Sequence, residues 1–491
     1  MVLLSARYLG LETGEISVFL NRKDAEKIGV RPHDRVRVVC KQGSLIAVVN
    51  IATTIVKEGE VGFGVTALKR RIVQEGEKVE VGPAGAPKSA ELIKKKIKGE
   101  KLSEEEITII LKDIISGSIS DLELASFITA LEIRGMTLEE VECLTRKMAE
   151  LGNKLSFEGR LTFDKHSIGG LAGNSKDTLI IVPIVSAAGL LMPKTSSRAI
   201  TSPSGSADTM GVIADVDLTA EEAEEVVKKV GACIICTEKA GLSPADGIMI
   251  ARAMYPLALD PECMMVASIL SKKLAASIKR MVLDIPIGKE AKVRSMAEAR
   301  ELANKFRVVG TRLGIAMHVA ISYGGQPLGR SIGPALEAAE ALKILITGGN
   351  GPRSTIGKCL AIAGELLEMG NVAPPGKGRE VAREILKSGK AYEKMRQIIE
   401  AQSGNPDIKP DDLPIGKHEE TIKSPKSGYV TVVSNRALML IARAAGAPRD
   451  KGAGIYIHAK RGDKVEEGGK LYTIYSNSCL LYTSPSPRDR G

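Results

Sequence analysis

A chain of 491 residues is too long for one simple core, so about two to four domains are expected. A hydrophobic content of 44% excludes disorder over most of the length, and no apolar run reaches the roughly 18 residues of a membrane-spanning helix. The net charge of +10 points to anions, but the basic residues are scattered and aromatics are only 3% with no Trp, which argues against nucleic acid. Attraction of a small phosphorylated anion, or simply a basic solvated surface, accounts for the charge.

The opening residues, MVLLSARYLG, carry no basic stretch ahead of the apolar ones and read as a mature strand without a secretory signal. Residues 1–84 form a β-rich domain: Glu15 to Leu20, Val36 to Cys40 and Leu45 to Ile51 are β-type runs punctuated by glycines. Gly82 to Pro87 reads as a linker.

From Lys88 the period becomes helical. Ile107, Ile110, Leu111, Ile114 and Ile115 share one face, Ser103 and Glu106 form a capping-box pattern before them, and Asp121 and Thr137 start two further helices. A helical domain is expected over 88–155, joined in space by about 245–277. The run Lys94 to Lys96 reads as a solvated helix face.

Strands and helices alternate over 160–410, the pattern of a central α/β domain with a mixed, mostly parallel sheet. Leu161 to Phe163, Ala232 to Ile235, Met281 to Ile285 and Ala316 to Ile321 are strand candidates. Leu179 to Val185 is a strand or a helix buried on both faces. His318, inside the apolar run LGIAMHVAI, is expected to be a satisfied core residue. Cys233 and Cys236 lack a second pair at zinc-like spacing and read as buried structural thiols. The seven cysteines are odd in number and scattered, which suits reduced thiols in the cytoplasm. Residues 411–477 form a C-terminal β-rich α/β domain. The tail 478–491, with its Ser-Pro-Ser-Pro run, reads as disordered or non-native.

Two stretches concentrate chemistry. Asp164 to Asn174 (DKHSIGGLAGN) follows a short strand; its lysine supplies charge, Ser167 a hydroxyl, and its glycines bring backbone N–H groups close to an anion. The phosphate-loop pattern GxxxxGK followed by Ser or Thr is absent, and alone this stretch is as well explained by a structural turn. Lys194 to Asp208 (KTSSRAITSPSGSAD) is crowded with hydroxyls around Arg198, whose planar fork suits phosphate. The plainer reading is a polar loop capping the next helix through Ser206 or Asp208. Two anion-suited loops flanking one buried segment favour function.

KHSIGG followed by SSRAITSPSGSAD resembles the thymidine/pyrimidine-nucleoside phosphorylase family, and within it the archaeal branch of AMP phosphorylases that form ribose 1,5-bisphosphate. The resemblance runs from about Met1 to Ser476 and includes Leu259-Asp260, Ala267 to Leu274 and Asp284 to Gly288. It implies a pentosyltransferase that converts AMP and phosphate to adenine and α-D-ribose 1,5-bisphosphate, and acts on CMP and UMP, in AMP catabolism and nucleotide salvage. Lys165, Ser167, Gly169, Ser196 and Ser206 are implied as phosphate ligands, and Ser197, Arg198, Ala199, Ile200 and Thr201 as the nucleotide pocket. Asp260 is implied as the proton donor to the base, with Ser268 and Lys292 as further contacts. Lys272, one helical turn from Ser268, joins them. In the family, substrate lies in a cleft that hinge closure dries. Phosphate is a substrate, no metal or cofactor is implied, and a homodimer or larger homo-oligomer is expected, with neither nucleic acid nor membrane as partner. The second motif departs from the family in Pro203-Ser204-Gly205-Ser206, where Thr-Ala/Gly-Gly-Thr is usual.

The runner-up is a thymidine or pyrimidine-nucleoside phosphorylase. A phosphoribosyltransferase is a third reading, because Ser204 to Asp208 also resembles anthranilate phosphoribosyltransferases, and a non-catalytic nucleotide-binding protein on the same fold is a fourth.

Overall fold

The computed structural model describes residues 1–13, 16–65, 73–200 and 202–478. Its contacts divide into two units: Met1–Leu151 with Pro244–Met264, and Gly152–Ser243 with the chain from Met265 onward.

The first unit opens with six strands, β1 (Val2–Tyr8), β2 (Ser17–Asn21), β3 (Arg35–Cys40), β4 (Gly43–Ala52), β5 (Glu60–Phe63) and β6 (Lys78–Pro83). They close into a barrel in the order β1-β5-β2-β4-β3-β6, with β6 antiparallel to β1, so no sheet edge is left unpaired. Alternation along the strands turns Val18, Leu20, Val36, Val38, Val49, Phe63, Val79 and Val81 into its core. The expected linker begins later than the composition suggests. Gly82 and Pro83 still belong to β6, and the Ala84 N–H donates to the Arg35 carbonyl at 2.9 Å.

Four helices follow, Lys88–Ile97, Glu104–Ser116, Asp121–Arg134 and Leu138–Glu150. Capping boxes at Ser103/Glu106, Ser120/Glu123 and Thr137/Glu140 explain why three of them start where they do. The lysine run on the first is not a uniformly solvated face. Lys94 is exposed, but Lys96 is buried and its ammonium lies 2.9 Å from Glu140, because that helix side packs inside the bundle. Glu140 also accepts from the Leu102 N–H, so one carboxylate serves a cap, a loop and an ion pair. Arg35 of the barrel pairs with Glu123 of the bundle. The segment from Pro244 adds short helical turns to this unit, with Arg252 2.5 Å from Asp121. The division falls inside the helix Glu262–Ala275.

In the second unit, strands β7 (Phe163–Ser167), β8 (Met192–Ser196), β9 (Ala232–Cys236), β10 (Arg280–Ile287) and β11 (Ala316–Tyr323) pair in parallel as β11-β10-β7 and β8-β9. A parallel bridge from Thr162 to Leu191 joins the two groups. The apolar run at Leu179 is a helix, Lys176–Ala187, buried along its length between the sheet and the helices Pro334–Ile346, Arg353–Met369 and Lys390–Ala401. Cys233 and Cys236 lie inside β9, and burial pushes the Cys236 thiol up to about 12, as structural thiols require.

His318 corrects a sequence expectation. It lies on β11, at the end of the strand order, and its side chain is 55% exposed, with Nδ1 3.0 Å from Glu365. An apolar run buries both faces only in a strand covered on both sides, and alternate residues of β11 face outward.

The C-terminal region forms a sheet in the order β12-β15-β17-β13, from β12 (Ser331–Ile332), β13 (His418–Lys423), β15 (Gly454–Ile457) and β17 (Lys470–Ser476). An antiparallel pair of β14 (Gly428–Tyr429) with β16 (Lys464–Val465) and the helix Asn435–Ala444 complete it. The suspect tail from 479 onward lies outside the described residues. Among the described residues no helix is long and apolar enough to cross a membrane.

Candidate active site

Parallel strands send their carboxyl ends the same way, and open α/β sheets collect ligand-binding loops there. Three adjacent strands, β10, β7 and β8, carry expected residues at that end. Lys165 and Ser167 are on β7 with Gly169 just beyond; Ser196 ends β8, and Ser197, Arg198, Ala199 and Ile200 follow; Lys292 follows β10. Thr201 lies outside the described residues.

The first loop turns on left-handed glycines. Gly169 has φ 89° and Gly170 φ 78°. A Cβ on Gly170 would stand 2.9 Å from the Lys292 backbone nitrogen, so only glycine lets these two loops touch.

Beneath the loops lies a set of buried charges. Lys165 pairs with Asp177, and both are out of solvent. Asp164 takes two ammonium groups, Lys273 at 2.6 Å and Lys194 at 3.4 Å. Lys273 also donates to the carbonyl and hydroxyl of Thr195, at 3.3 and 3.2 Å, tying the helix Glu262–Ala275 to β8. Burial first, then repulsion from Lys273 and Lys165, drives the Lys194 ammonium well below the usual lysine range, with Asp164 opposing. His166 is held neutral for the same reasons. Burial lowers its pKa most, followed by Lys273, Lys194, Lys272 and Lys165. Its Nδ1 is buried without a hydrogen-bond partner among the described residues.

Second-loop geometry is set by Asp208, whose Oδ2 accepts from the N–H groups of Ala199 (2.7 Å) and Gly205 (2.9 Å). Burial raises the pKa of this carboxyl, and those two N–H groups oppose the shift. The helix cap is Gly205 rather than Ser206 or Asp208; Asp208 supplies the returning carboxylate. Ser206 shares a 2.7 Å hydrogen bond with Thr178, joining the first turns of two helices. Ser196 Oγ donates to the Ser197 carbonyl at 3.0 Å. Arg198 is turned to Asp217 at 2.6 Å and Asp208 at 3.7 Å, so a phosphate would exchange with carboxylates for its fork.

Lys272 donates to Ser268 Oγ at 3.1 Å, the one-turn pairing that the spacing implies. Asp260 is exposed and belongs to the first unit, on the segment just before the helix Glu262–Ala275. The second unit therefore brings together all the expected loop residues that are described, with Lys272 acting on the same His166.

Sequence reasoning includes Asp164, Lys194 and Lys273 in its motifs but assigns no site role to them or to Asp177. Their signal is present: charged residues within apolar strands, as Asp164 and Lys194 are, or within helices packed on a covered sheet, as Asp177 and Lys273 are, must be paired inside.

Family models match this chain as a glycosyl transferase family helical bundle domain over 90–152, a glycosyl transferase family a/b domain over 159–392, and a pyrimidine nucleoside phosphorylase C-terminal domain over 429–480. The AMP phosphorylase of Pyrococcus furiosus is 49% identical over 472 residues, covering 96% of this chain and 93% of that protein. The chain belongs to the AMP phosphorylase family. Members of this family from Thermococcus kodakarensis (48% over 470 residues, 96% of this chain and 93% of the relative) and Methanococcus vannielii (44% over 478 residues, 97% and 94%) match as fully. A crystal structure of anthranilate phosphoribosyltransferase from Thermus thermophilus shares the fold, with a TM-score of 0.53 at 22% identity over 64% of this chain and 99% of that one. The AMP phosphorylase family accounts for both motifs and nearly the whole chain.

Proposed function

We propose that this protein phosphorolyses nucleoside 5′-monophosphates, turning AMP and inorganic phosphate into adenine and α-D-ribose 1,5-bisphosphate, with CMP and UMP as further substrates. The observation that carries this reading is the convergence of Lys165, Lys194, Lys272 and Lys273 on a neutral His166 at the carboxyl ends of β7 and β8. Such a place favours anions, and the reaction has two: the attacking phosphate and the 5′-phosphate of the nucleotide.

A phosphate oxygen bonds to C1′ as the C1′–N bond breaks, and the electron pair leaves with the base. Positive charge on the ribose in the transition state is met by the phosphate itself, held in line by Lys165, Ser167, Gly169, Ser196 and Ser206. Ser197 to Thr201, Ser268, Lys272 and Lys292 hold the nucleotide. Asp260, matched to the family's donor position, gives the departing ring its proton. The lysines supply the positive charge in this reading, which calls on no metal or cofactor. The relatives' AMP phosphorylase names and the free cysteines support a cytoplasmic metabolic enzyme. A homodimer or larger homo-oligomer is part of the same proposal.

The test is incubation of the purified protein with AMP and phosphate, with chromatography for free adenine. Phosphate-dependent release that survives EDTA, with kcat/KM for AMP, CMP and UMP above that for the matching nucleosides, is expected. Preference for nucleosides, or a requirement for magnesium, would overturn the reading.

A further inference from the structure

We propose that the helix Asn435–Ala444 is a positioning element of the active site, with Asn435 and Arg443 as positioning residues that hold the two anion loops independently. This rests on the reading of those loops as the phosphate and nucleotide sites.

Four strand-end loops meet this one helix. After β7, Ala172 is buried in the same apolar cluster as Val433, Leu438 and Ala442, and its N–H donates to Asn435 Oδ1 at 3.3 Å. After β11, the Gly324 carbonyl accepts from Asn435 Nδ2 at 3.0 Å. After β10, Glu290 receives the Ser434 hydroxyl at 2.9 Å and the Arg436 N–H at 3.1 Å, two residues before Lys292. After β8, the Ile200 carbonyl accepts from Arg443 Nη1 at 2.6 Å, and the Ser202 carbonyl from the same nitrogen at 3.4 Å.

The chemistry makes each contact specific. Asn435 is buried with donor and acceptor both engaged, so its amide has one orientation, and that orientation fixes the first loop. Arg443 binds backbone carbonyls, which no change of loop side chain would remove, and its cation strengthens the bond. Glu290 sits at the helix N-terminus, where a carboxylate is favoured by the helix dipole. A helix of ten residues thus reaches from Ala172 to Ser202, holding the loops after β7, β8 and β11 by backbone groups and the loop after β10 by the Glu290 carboxylate.

A structural prop would disturb both substrates together, whereas separate anchors predict separate effects. Lost loop order is charged against whichever ligand that loop holds. The experiment measures kcat and the KM for AMP and for phosphate in the full-length wild type and in Asn435→Ala, Arg443→Ala and Arg443→Lys, with thermal unfolding of each. Asn435→Ala is expected to raise the phosphate KM about 10-fold with a smaller change for AMP, the scale of one lost buried hydrogen bond. Arg443→Ala is expected to raise the AMP KM by a similar ~10-fold with little change for phosphate, and Arg443→Lys to recover part of it. Arg443 is only half-buried, so its variants carry the test if Asn435→Ala does not fold. Folded variants with wild-type KM values, or with both KM values rising in parallel, overturn the proposal. A wild type that releases no adenine counts instead against the phosphorylase reading. Calorimetric binding of inorganic phosphate, weakened by Asn435→Ala and not by Arg443→Ala, then still separates the anchors.

Discussion

The Lys273 ammonium lies 2.6 Å from Oδ2 of Asp164, and neither side chain is reached by solvent. Lys194 approaches the other oxygen of the same carboxylate at 3.4 Å, so one buried carboxylate serves two lysines beneath the loop that follows β7. Removing one partner of a buried pair leaves the other uncompensated, at a cost of about 3–5 kcal/mol. Here Lys194 remains to share Asp164, so Lys273→Met is expected at the lower end, ~3 kcal/mol by urea unfolding. Adding Asp164→Asn should recover part of that stability and none of the phosphate affinity. A Lys273→Met variant as stable as the wild type would contradict the pairing.

Anion binding should draw in protons. His166 is neutral because burial and four lysines resist its charge, and a bound dianion offsets that resistance. The affinity for an anion therefore rises as pH falls toward the ordinary histidine range. Sulfate is the clean probe, since it stays a dianion where phosphate itself titrates. Calorimetry in two buffers of different ionisation enthalpy should show net proton uptake that His166→Asn diminishes. Without ligand the sign for stability is opposite: the unfolded ring takes a proton that the folded one refuses, so stability is lost as pH falls through 6.5.

Gly170→Ala tests the contact between the loop that follows β7 and the one that follows β10. The residue adopts φ 78°, and a methyl group there meets the Lys292 backbone nitrogen at 2.9 Å. Left-handed strain alone costs about 1–3 kcal/mol, and the contact must also open. A lower thermal midpoint together with weaker phosphate binding is expected. Gly189→Ala is the control, having a similar φ of 87° with open space around it, and should lose stability without touching phosphate.

Much of this is legible in the residues, and what escapes has physical reasons. Helix starts at Ser103 and Thr137 are readable because a capping box is local chemistry. The loops Asp164 to Asn174 and Lys194 to Asp208 are readable from their composition as places suited to an anion, and the structure sets both at the carboxyl ends of adjacent strands. Periodicity cannot choose strand or helix for Leu179 to Val185, since a segment buried all round has no polar face to set a period. His318 is misplaced because an apolar run does not reveal that its strand ends the strand order, and Lys96 because a lysine run does not reveal Glu140 across the bundle. Nor can sequence show that Asn435 and Arg443 hydrogen-bond to loops some 240 residues or more away in the chain.

Asp260 separates proton transfer from binding. The residue is exposed, so Asp260→Asn, which keeps shape and removes the acid, should leave unfolding unchanged. With AMP, loss of a general acid is expected to lower kcat by about 10²–10⁴-fold, with the KM for phosphate unaffected. The contrast comes from a substrate whose leaving group needs no proton, p-nitrophenyl β-D-ribofuranoside 5-phosphate. Nitrophenolate departs as a stable anion, so the variant should cleave it nearly as fast as the wild type does. If the two substrates lose rate equally, Asp260 acts on the ribose or on folding of the site. If neither loses rate, the proton comes from elsewhere.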